Sequence, residues 1–347
     1  MLTRSDPPAA KQRPPEMGRT LKDAPPPVAP EALQRKLFDL ADDFGGEVGI
    51  AIYDLKNGWL AGVDADRPYP QQSASKVWVA IALLQAVDQG RLSLSDRLMM
   101  SDEHRSVFFQ PIVGRMGRTG FETTIDQLLD YAIKLSDNAA NDRLMGLVGG
   151  PEAVDSALRQ MGLQGVQVAD FERNLQAKTA GLVWRYDYGF GYRFQEARAA
   201  LPREVRDAAA KNYLEAPMDG VSPRDFVGGL AALKRGELLS PEMTHRLLDA
   251  MATSVNGPRR LKGGVPSDWY VAHKTGTGQD WGGGAMGIND VAILTAPDGH
   301  DYAVAVMIRH ARRPVGDRLA FMQSVSRAVV DNWQAETYPQ IAELPAA

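Results

Sequence analysis

The chain has 347 residues, no cysteine, and 39 basic against 43 acidic side chains, for a formal net charge of −4. The missing thiol excludes a cysteine nucleophile, a disulfide scaffold and a cysteine-ligated zinc or iron–sulfur centre, and mild acidity without a basic run argues against a nucleic-acid partner. An apolar content of 44% is enough for a sizeable core in one large or two ordinary domains. The five histidines are scattered with no HExxH pair, so no metal and no cofactor is expected. Hydrolytic chemistry would therefore run on Ser, Lys, Glu or Asp. No apolar run is long enough for a membrane-spanning helix.

Residues 1–30 hold eight prolines and lack the apolar run of an export signal, so a disordered proline-rich segment is expected there. Glu31–Phe44 then spaces Leu33, Leu37, Leu40 and Ala41 as a helix does. Glu47–Leu55 and Trp59–Ala65 read as two strands joined at Lys56-Asn57-Gly58. Ser75–Gln89 is an apolar helix closed by Gly90, and Thr123–Leu135, Ala139–Val148 and Pro151–Met161 are further helices. Pro223–Arg235 and Ser240–Thr253 add two more, and Leu319–Trp333 closes the chain as a helix. Trp269–Thr275, Asp290–Ala296 and Tyr302–Ile308 read as strands. Strands at both ends around a helical middle predict an α/β (α+β) fold: an antiparallel sheet flanked by helices, with an all-helical lobe inserted and a cleft between them.

Trp184, Tyr186, Tyr188, Phe190, Tyr192 and Phe194 alternate along the chain. A period of two suits an extended strand with one aromatic face. A packed lid or hairpin, a substrate-contacting wall and a dimer surface are the alternatives.

Three short motifs carry chemistry. In Ser73-Ala74-Ser75-Lys76 a hydroxyl and an amine sit three residues apart at a helix start, where the amine can reach the hydroxyl and backbone N–H groups can hold an oxyanion. Alone, the motif reads equally as a capping serine and a solvated lysine. Ser136-Asp137-Asn138 lies between two helices, where it can aim polar groups into the cleft or simply cap the next helix. Lys274-Thr275-Gly276 ends a strand, either beside a ligand or as a hairpin edge. Neither GxGxxG nor a P-loop is present, so a nucleotide site is not expected.

SxxK, SDN and KTG in this order form a joint signature. On these motifs the chain resembles the penicillin-recognising serine hydrolases, and specifically the class A β-lactamases, over roughly Glu31 to Trp333. The resemblance implies a β-lactamase/transpeptidase-like fold in one two-lobed catalytic domain over residues 31–335, followed by a tail at 336–347. It also implies a role for each matching residue. Ser73 is the acylating nucleophile, Lys76 its base or proton shuttle, and Ser136 the relay to the leaving nitrogen. Asn138 holds the substrate's side-chain amide, and Lys274 and Thr275 hold its carboxylate. The backbone N–H groups of Ser73 and Thr277 form the oxyanion hole. Phe109 at the mouth stacks on substrate, and Arg260 is either a second carboxylate anchor or an exposed arginine. Glu172, 36 residues after Ser136, takes the place of the glutamate that activates the deacylating water, with Gln176 where the family has asparagine.

Two departures stand out. Asp170 occupies the position where the family has an arginine that closes the loop onto an aspartate, here matched by Asp219. Two carboxylates repel, so another tie is expected, from Arg173 or Arg185. Residues 181–218, which contain the aromatic run, are extra chain emerging beside the site. The function implied is hydrolysis of β-lactams through a Ser73 acyl-enzyme by a monomer, periplasmic or secreted by resemblance although no signal peptide is visible. A β-lactam-binding sensor without turnover and a peptidase or esterase on the same scaffold are the rivals.

Overall fold

The computed structural model describes residues 27–337. Residues 1–26 and 338–347, and with them most of the proline-rich segment and of the tail, lie outside the described residues.

The first helix, α1 (Glu31–Phe44), buries its i, i+4 stripe of Leu33, Leu37, Ala41 and Phe44. The hairpin of β1 (Val48–Asp54) and β2 (Leu60–Val63) turns on Asp54, whose carboxylate accepts the N–H groups of Lys56 and Asn57 at 2.8 Å each. After the two-residue β3 (Tyr69–Pro70) comes a 3-10 turn, Gln72–Ser75, which runs directly into α2 (Lys76–Asp88). The short β4 (Arg97–Met100) and β5 (Phe121–Thr124) pair with each other ahead of α3 (Ile125–Lys134), α4 (Asn138–Leu147) and α5 (Pro151–Gln160). Next come α6 (Glu172–Thr179), α7 (Arg193–Ala200) and α8 (Arg203–Glu215). β6 (Gly220–Val221) pairs back onto β3, followed by α9 (Pro223–Lys234) and α10 (Pro241–Ala252). The chain ends with β7 (Tyr270–Thr277), β8 (Asp280–Trp281), β9 (Gly284–Thr295), β10 (Asp301–Ala311) and α11 (Val315–Thr337).

The main sheet runs β2-β1-β10-β9-β7, with β8 beside β9, and every pair in it is antiparallel. Both faces are buried, and alternate residues of one strand feed different cores. Ile50, Ile52, Ala292 and Leu294 face α1 and α11, whereas Ala51, Val291 and Ile293 face the helical lobe. At the centre of that lobe α2 is apolar all round and almost wholly buried, as a helix with no solvent face must be. The α/β fold with an inserted helical lobe agrees with the reading from sequence.

The details differ in three places. β9 begins at Gly284, six residues before the expected Asp290, because its ladder with β10 continues through Met286 opposite His310 and Ala285 opposite Ala311. The β4–β5 ladder was not foreseen. The aromatic run is not an extended strand. Tyr186–Gly189 form a 3-10 turn, Gly191 bends the chain at φ 56°, and α7 starts at Arg193. With no strand alongside to complete a ladder, the rings bury themselves edge to edge instead. Phe194 meets Tyr188 at 5.8 Å and Phe108 at 5.0 Å, and Tyr188 meets Trp184 at 6.2 Å. Tyr188 and Phe194 thus form a small core with Val107, Ala177 and Ala180, and Tyr186 and Tyr192 stay exposed.

Gly229 of α9 lets Trp78 of α2 pack against bare backbone: a Cβ there would lie 2.7 Å from the indole. Alanine gains about 1 kcal/mol of helix propensity over glycine, but overpacking a rigid core costs about 1–3 kcal/mol. Gly229→Ala is therefore expected to lower the midpoint of urea denaturation. A raised midpoint would contradict the packing argument.

Candidate active site

Ser73 lies in the 3-10 turn that feeds α2, and Lys76 is the helix's first residue. The spacing of three brings Lys76 Nζ within 2.8 Å of Ser73 Oγ. The same nitrogen donates to Asn138 Oδ1 at 2.9 Å and to Glu172 Oε1 at 2.6 Å. Lys76 is completely buried and Glu172 nearly so. A buried ammonium is tolerated only where it is paired and hydrogen-bonded, and here three different segments supply the acceptors.

The second motif is positioned by its middle residue. Asp137 caps α4 by accepting Ala140 N at 2.9 Å, and its other oxygen accepts Ile112 N at 2.6 Å. Burial pushes the Asp137 carboxyl up to about 6. Capping thus holds here together with presentation of the neighbours to the cleft. Ser136 adopts a left-handed backbone at φ 64°, a strain a buried loop can impose at a working site. Asn138 donates its side chain to Val107 O and its backbone to Phe109 O, both at 2.9 Å, which straps the loop bearing Phe109 to α4.

From the sheet, Lys274 reaches across to donate to Ser136 Oγ at 2.8 Å and to Thr275 O at 3.1 Å. Complete burial, and then the charge of Lys76, hold its ammonium well below the usual lysine range. Ser73, Phe109, Ser136, Asn138, Thr275 and Thr277 all line one cleft of about 340 Å3. Arg260 does not line it and is not a free exposed arginine. It donates to Gly276 O at 3.0 Å, Asn289 O at 2.5 Å and Thr277 Oγ1 at 2.7 Å, so it braces the end of β7 from behind.

Glu172 opens α6, and the loop before it is tied differently from the sequence expectation. Asp142, one turn along α4 from Asn138, accepts Glu172 N at 2.6 Å, Arg173 N at 3.2 Å and Ser106 Oγ at 2.9 Å. It caps α6 from a neighbouring helix. Asp170 is held by Lys178 at 2.8 Å and Asn174 at 2.7 Å. Neither Arg173 nor Arg185 makes the tie: the first lies over the Phe171 ring and the second pairs with Asp187. Asp219 does not face Asp170 but accepts Gln72 N and Tyr213 Oη at 2.9 Å each. The repulsion between two carboxylates is avoided because each has its own donors.

Gln176 donates to Gln72 Oε1 at 3.1 Å and Glu172 Oε2 at 3.3 Å, and Gln279 donates to Gln176 Oε1 at 2.9 Å. Sequence reasoning missed Gln72, Asp142, Tyr213 and Gln279. Asp142 was within reach, since i+4 from Asn138 shares its helix face. Tyr213 was not, because its place depends on how α8 folds back.

A serine hydroxyl bonded to a buried amine, with a carboxylate on the same amine, defines a serine hydrolase site of the SxxK type. The comparisons narrow the class. The family described as Beta-lactamase enzyme family matches residues 32–333. The extended-spectrum beta-lactamase PER-1 of Pseudomonas aeruginosa is 28% identical over 269 residues, 76% of this chain and 74% of the relative. The carbapenem-hydrolyzing beta-lactamase KPC of Klebsiella oxytoca is 27% identical over 278 residues, 80% of each chain. A beta-lactamase structure from Chitinophaga pinensis DSM 2588 superposes with a TM-score of 0.71 at 26% identity, covering 87% of this chain and 99% of that one. The chain belongs to the beta-lactamase enzyme family, and within it to the serine enzymes of class A.

Burial, and then the charge of Glu172, push the Asp142 carboxyl up to about 7. An unfolded aspartate ionises at about 3.9, so between roughly pH 4 and 7 the folded protein keeps a proton that the unfolded chain has lost. This group's contribution to stability therefore falls as pH rises through that window and is level above it. In Asp142→Asn the contribution disappears, so the melting temperature of the variant relative to the parent should rise between about pH 4 and 7 and level off above that. Parallel melting curves across that range would contradict the assignment.

Proposed function

We propose that Ser73 attacks the β-lactam carbonyl to give an acyl-enzyme, and that water activated by Glu172 releases it. The observation that carries this reading is the shared nitrogen: Lys76 Nζ lies 2.8 Å from Ser73 Oγ and 2.6 Å from Glu172 Oε1. A carboxylate one side chain away from the nascent ester is where a deacylating base has to be. A sensor that only needs to be acylated has no use for it.

In this cycle Lys76 acts as the free amine, its ammonium proton given up to Glu172 (or to water where Glu172 is replaced), and takes the Ser73 hydroxyl proton as Oγ bonds to the carbonyl carbon. The developing oxyanion meets the backbone N–H groups of Ser73 and Thr277. The C–N bond of the ring then breaks, Ser136, bonded to Lys274, delivers its proton to the leaving nitrogen and is refilled from Lys76, and Glu172 returns its proton to Lys76 and is a carboxylate again. Glu172 takes a proton from the incoming water, which adds to the ester carbonyl; Ser73 Oγ leaves with a proton from Lys76, and Glu172 passes the water's proton on to Lys76. Asn138 accepts or donates to the substrate's acylamino group, Lys274 and Thr275 attract its carboxylate, and Phe109 stacks at the mouth. Arg260 acts through Thr277, keeping that hydroxyl and its strand in register, and adds positive potential behind it. The cycle uses no metal or cofactor. The same reading has the protein act as a monomer on a small diffusible substrate outside the cytoplasm. Among the described residues no helix is long and apolar enough to cross a membrane.

A chromogenic cephalosporin assay paired with intact-mass spectrometry tests the cycle. The parent should turn over many times with at most a transient adduct, and Ser73→Ala should form none. Glu172→Gln should slow release at least about 100-fold, the scale of a lost general base, so that the adduct on Ser73 accumulates. A parent that stops after one turnover with a lasting adduct would leave the sensor reading standing.

Arg260→Ala should raise KM about tenfold with a smaller change in kcat, as expected for a lost hydrogen-bonded charge that acts on binding. An unchanged KM would remove Arg260 from the substrate-binding set.

A further inference from the structure

The extra chain at 181–218 supplies none of the residues that line the cleft, but it supports the cleft from beneath. Its helix α8 rests on α6, where Ala210 and Leu214 pack with Leu175, and it sends Tyr213 under the nucleophile turn. There the Tyr213 hydroxyl donates to Asp219 Oδ1 at 2.9 Å and accepts from Gln72 Nε2 at 2.7 Å. The other oxygen of Asp219 accepts the backbone N–H of Gln72 at 2.9 Å. Gln72 directly precedes Ser73 and is held at φ 52°, a conformation unfavourable for a residue with a side chain. One residue beside the nucleophile is thus gripped twice, by its main chain through Asp219 and by its amide through Tyr213.

Asp219 is buried, and among the described residues no lysine, arginine or histidine forms an ion pair with it. A buried carboxylate without a cation keeps its charge only through the donors aimed at it. Those donors are the backbone N–H of Gln72, one phenol and, more weakly, the backbone N–H of Asp219 itself. The titratable groups that reach it are Tyr213 from α8 and Glu172 from α6. Burial and then the charge of Asp219 hold the Tyr213 phenol far above its usual range, so it is a fixed donor throughout the working range.

We propose that Tyr213 is a positioning residue for the nucleophile: its hydroxyl keeps Asp219 as the carboxylate that clamps the Gln72 backbone, and so sets how far into acid Ser73 can still be acylated. The proposal rests on the reading that Ser73 is the acylated residue. Burial already lifts the Asp219 carboxyl to about 6, with Gln72 N–H and Tyr213 Oη opposing the rise. Loss of the hydroxyl removes the one side-chain donor that opposes the rise. The carboxylate then protonates at a higher pH, the grip on the strained turn weakens, and acylation falls off sooner as pH drops.

The test is made in a Glu172→Gln background, where release is blocked and Glu172 no longer titrates. The rate of adduct formation on Ser73 is followed by intact-mass spectrometry with a chromogenic cephalosporin across the acid range. Adding Tyr213→Phe should move the acid limb of acylation up by about one pH unit, the scale of one lost hydrogen bond to a charged group, with rates converging in alkali. Adding Asp219→Asn instead should flatten that limb, and Tyr213→Phe should then shift it no further. A slower Tyr213→Phe variant with an unmoved limb would mean a purely structural role and overturn the proposal. An unmoved limb in Asp219→Asn would overturn it independently, which decides the case if Tyr213→Phe does not fold. Absence of any adduct in the Glu172→Gln parent would instead defeat the assignment of Ser73.

Discussion

A single buried ammonium organises this molecule. Lys76 is completely buried, so its three N–H bonds must each find an oxygen inside the protein. Those oxygens come from the turn before α2, from the start of α4 and from the start of α6. The helical lobe, the nucleophile turn and the loop bearing Glu172 therefore have to dock on one another for the charge to be buried at all. Truncating Glu172 would leave an uncompensated interior charge, and truncating Ser73 or Asn138 would leave one of its N–H bonds without an acceptor, each a larger penalty than the loss of an ordinary surface contact. The same nitrogen is the point at which the proposed chemistry converges, so in that reading stability and catalysis make one demand on the geometry.

Around that centre the acids are held by donors other than arginine. The loop that precedes Glu172 has no arginine to close it, and the molecule answers with Asp142 capping α6, Lys178 and Asn174 holding Asp170, and a phenol beneath Asp219. Among the described residues, Asp142 and Asp219 are buried acids without ion-pair partners, and both sit above their ordinary range. A run of glutamines continues the pattern. Because the Glu172 carboxylate can only accept, Gln176 must turn its amide nitrogen toward it, its oxygen then faces Gln279, and Gln279 must donate in turn. One acid thereby sets the orientation of two amides beyond it.

The parts of this structure that were legible in the sequence are those governed by local periodicity and by short motifs. The apolar stripe of α1, the proline-started α5 and α9, and the strands of the sheet follow from spacing and caps, and Ser73, Lys76, Ser136 and Asn138 converge because each sits at a helix start. The aromatic run misled because period two describes a strand only when another strand lies alongside, and here the rings had α6 and the Phe108 loop to pack against instead. The tie at Asp170 was misassigned to Arg173 and Arg185 for a related reason. Charge alone cannot tell which of several basic residues is near, and Lys178, eight positions away, lies two helical turns along the face that points back. Tyr213 was beyond reach because nothing in its own neighbourhood hints at the turn it meets, well over a hundred residues earlier in the chain.

The order of strands also bears on how the molecule comes into being. β1 is the first strand made, yet its neighbour β10 is nearly the last, so the hairpin β1–β2 has no partner on its inner edge until almost the whole chain exists. Its bare edge and two apolar faces are a standing invitation to pair with another chain during that interval. Loop closure across some two hundred and fifty residues is slow as well as late. A ribosome or an export channel that releases this protein piecemeal thus delivers a helical lobe in search of a sheet, with Ser73 in place long before Lys274 arrives to complete the cleft.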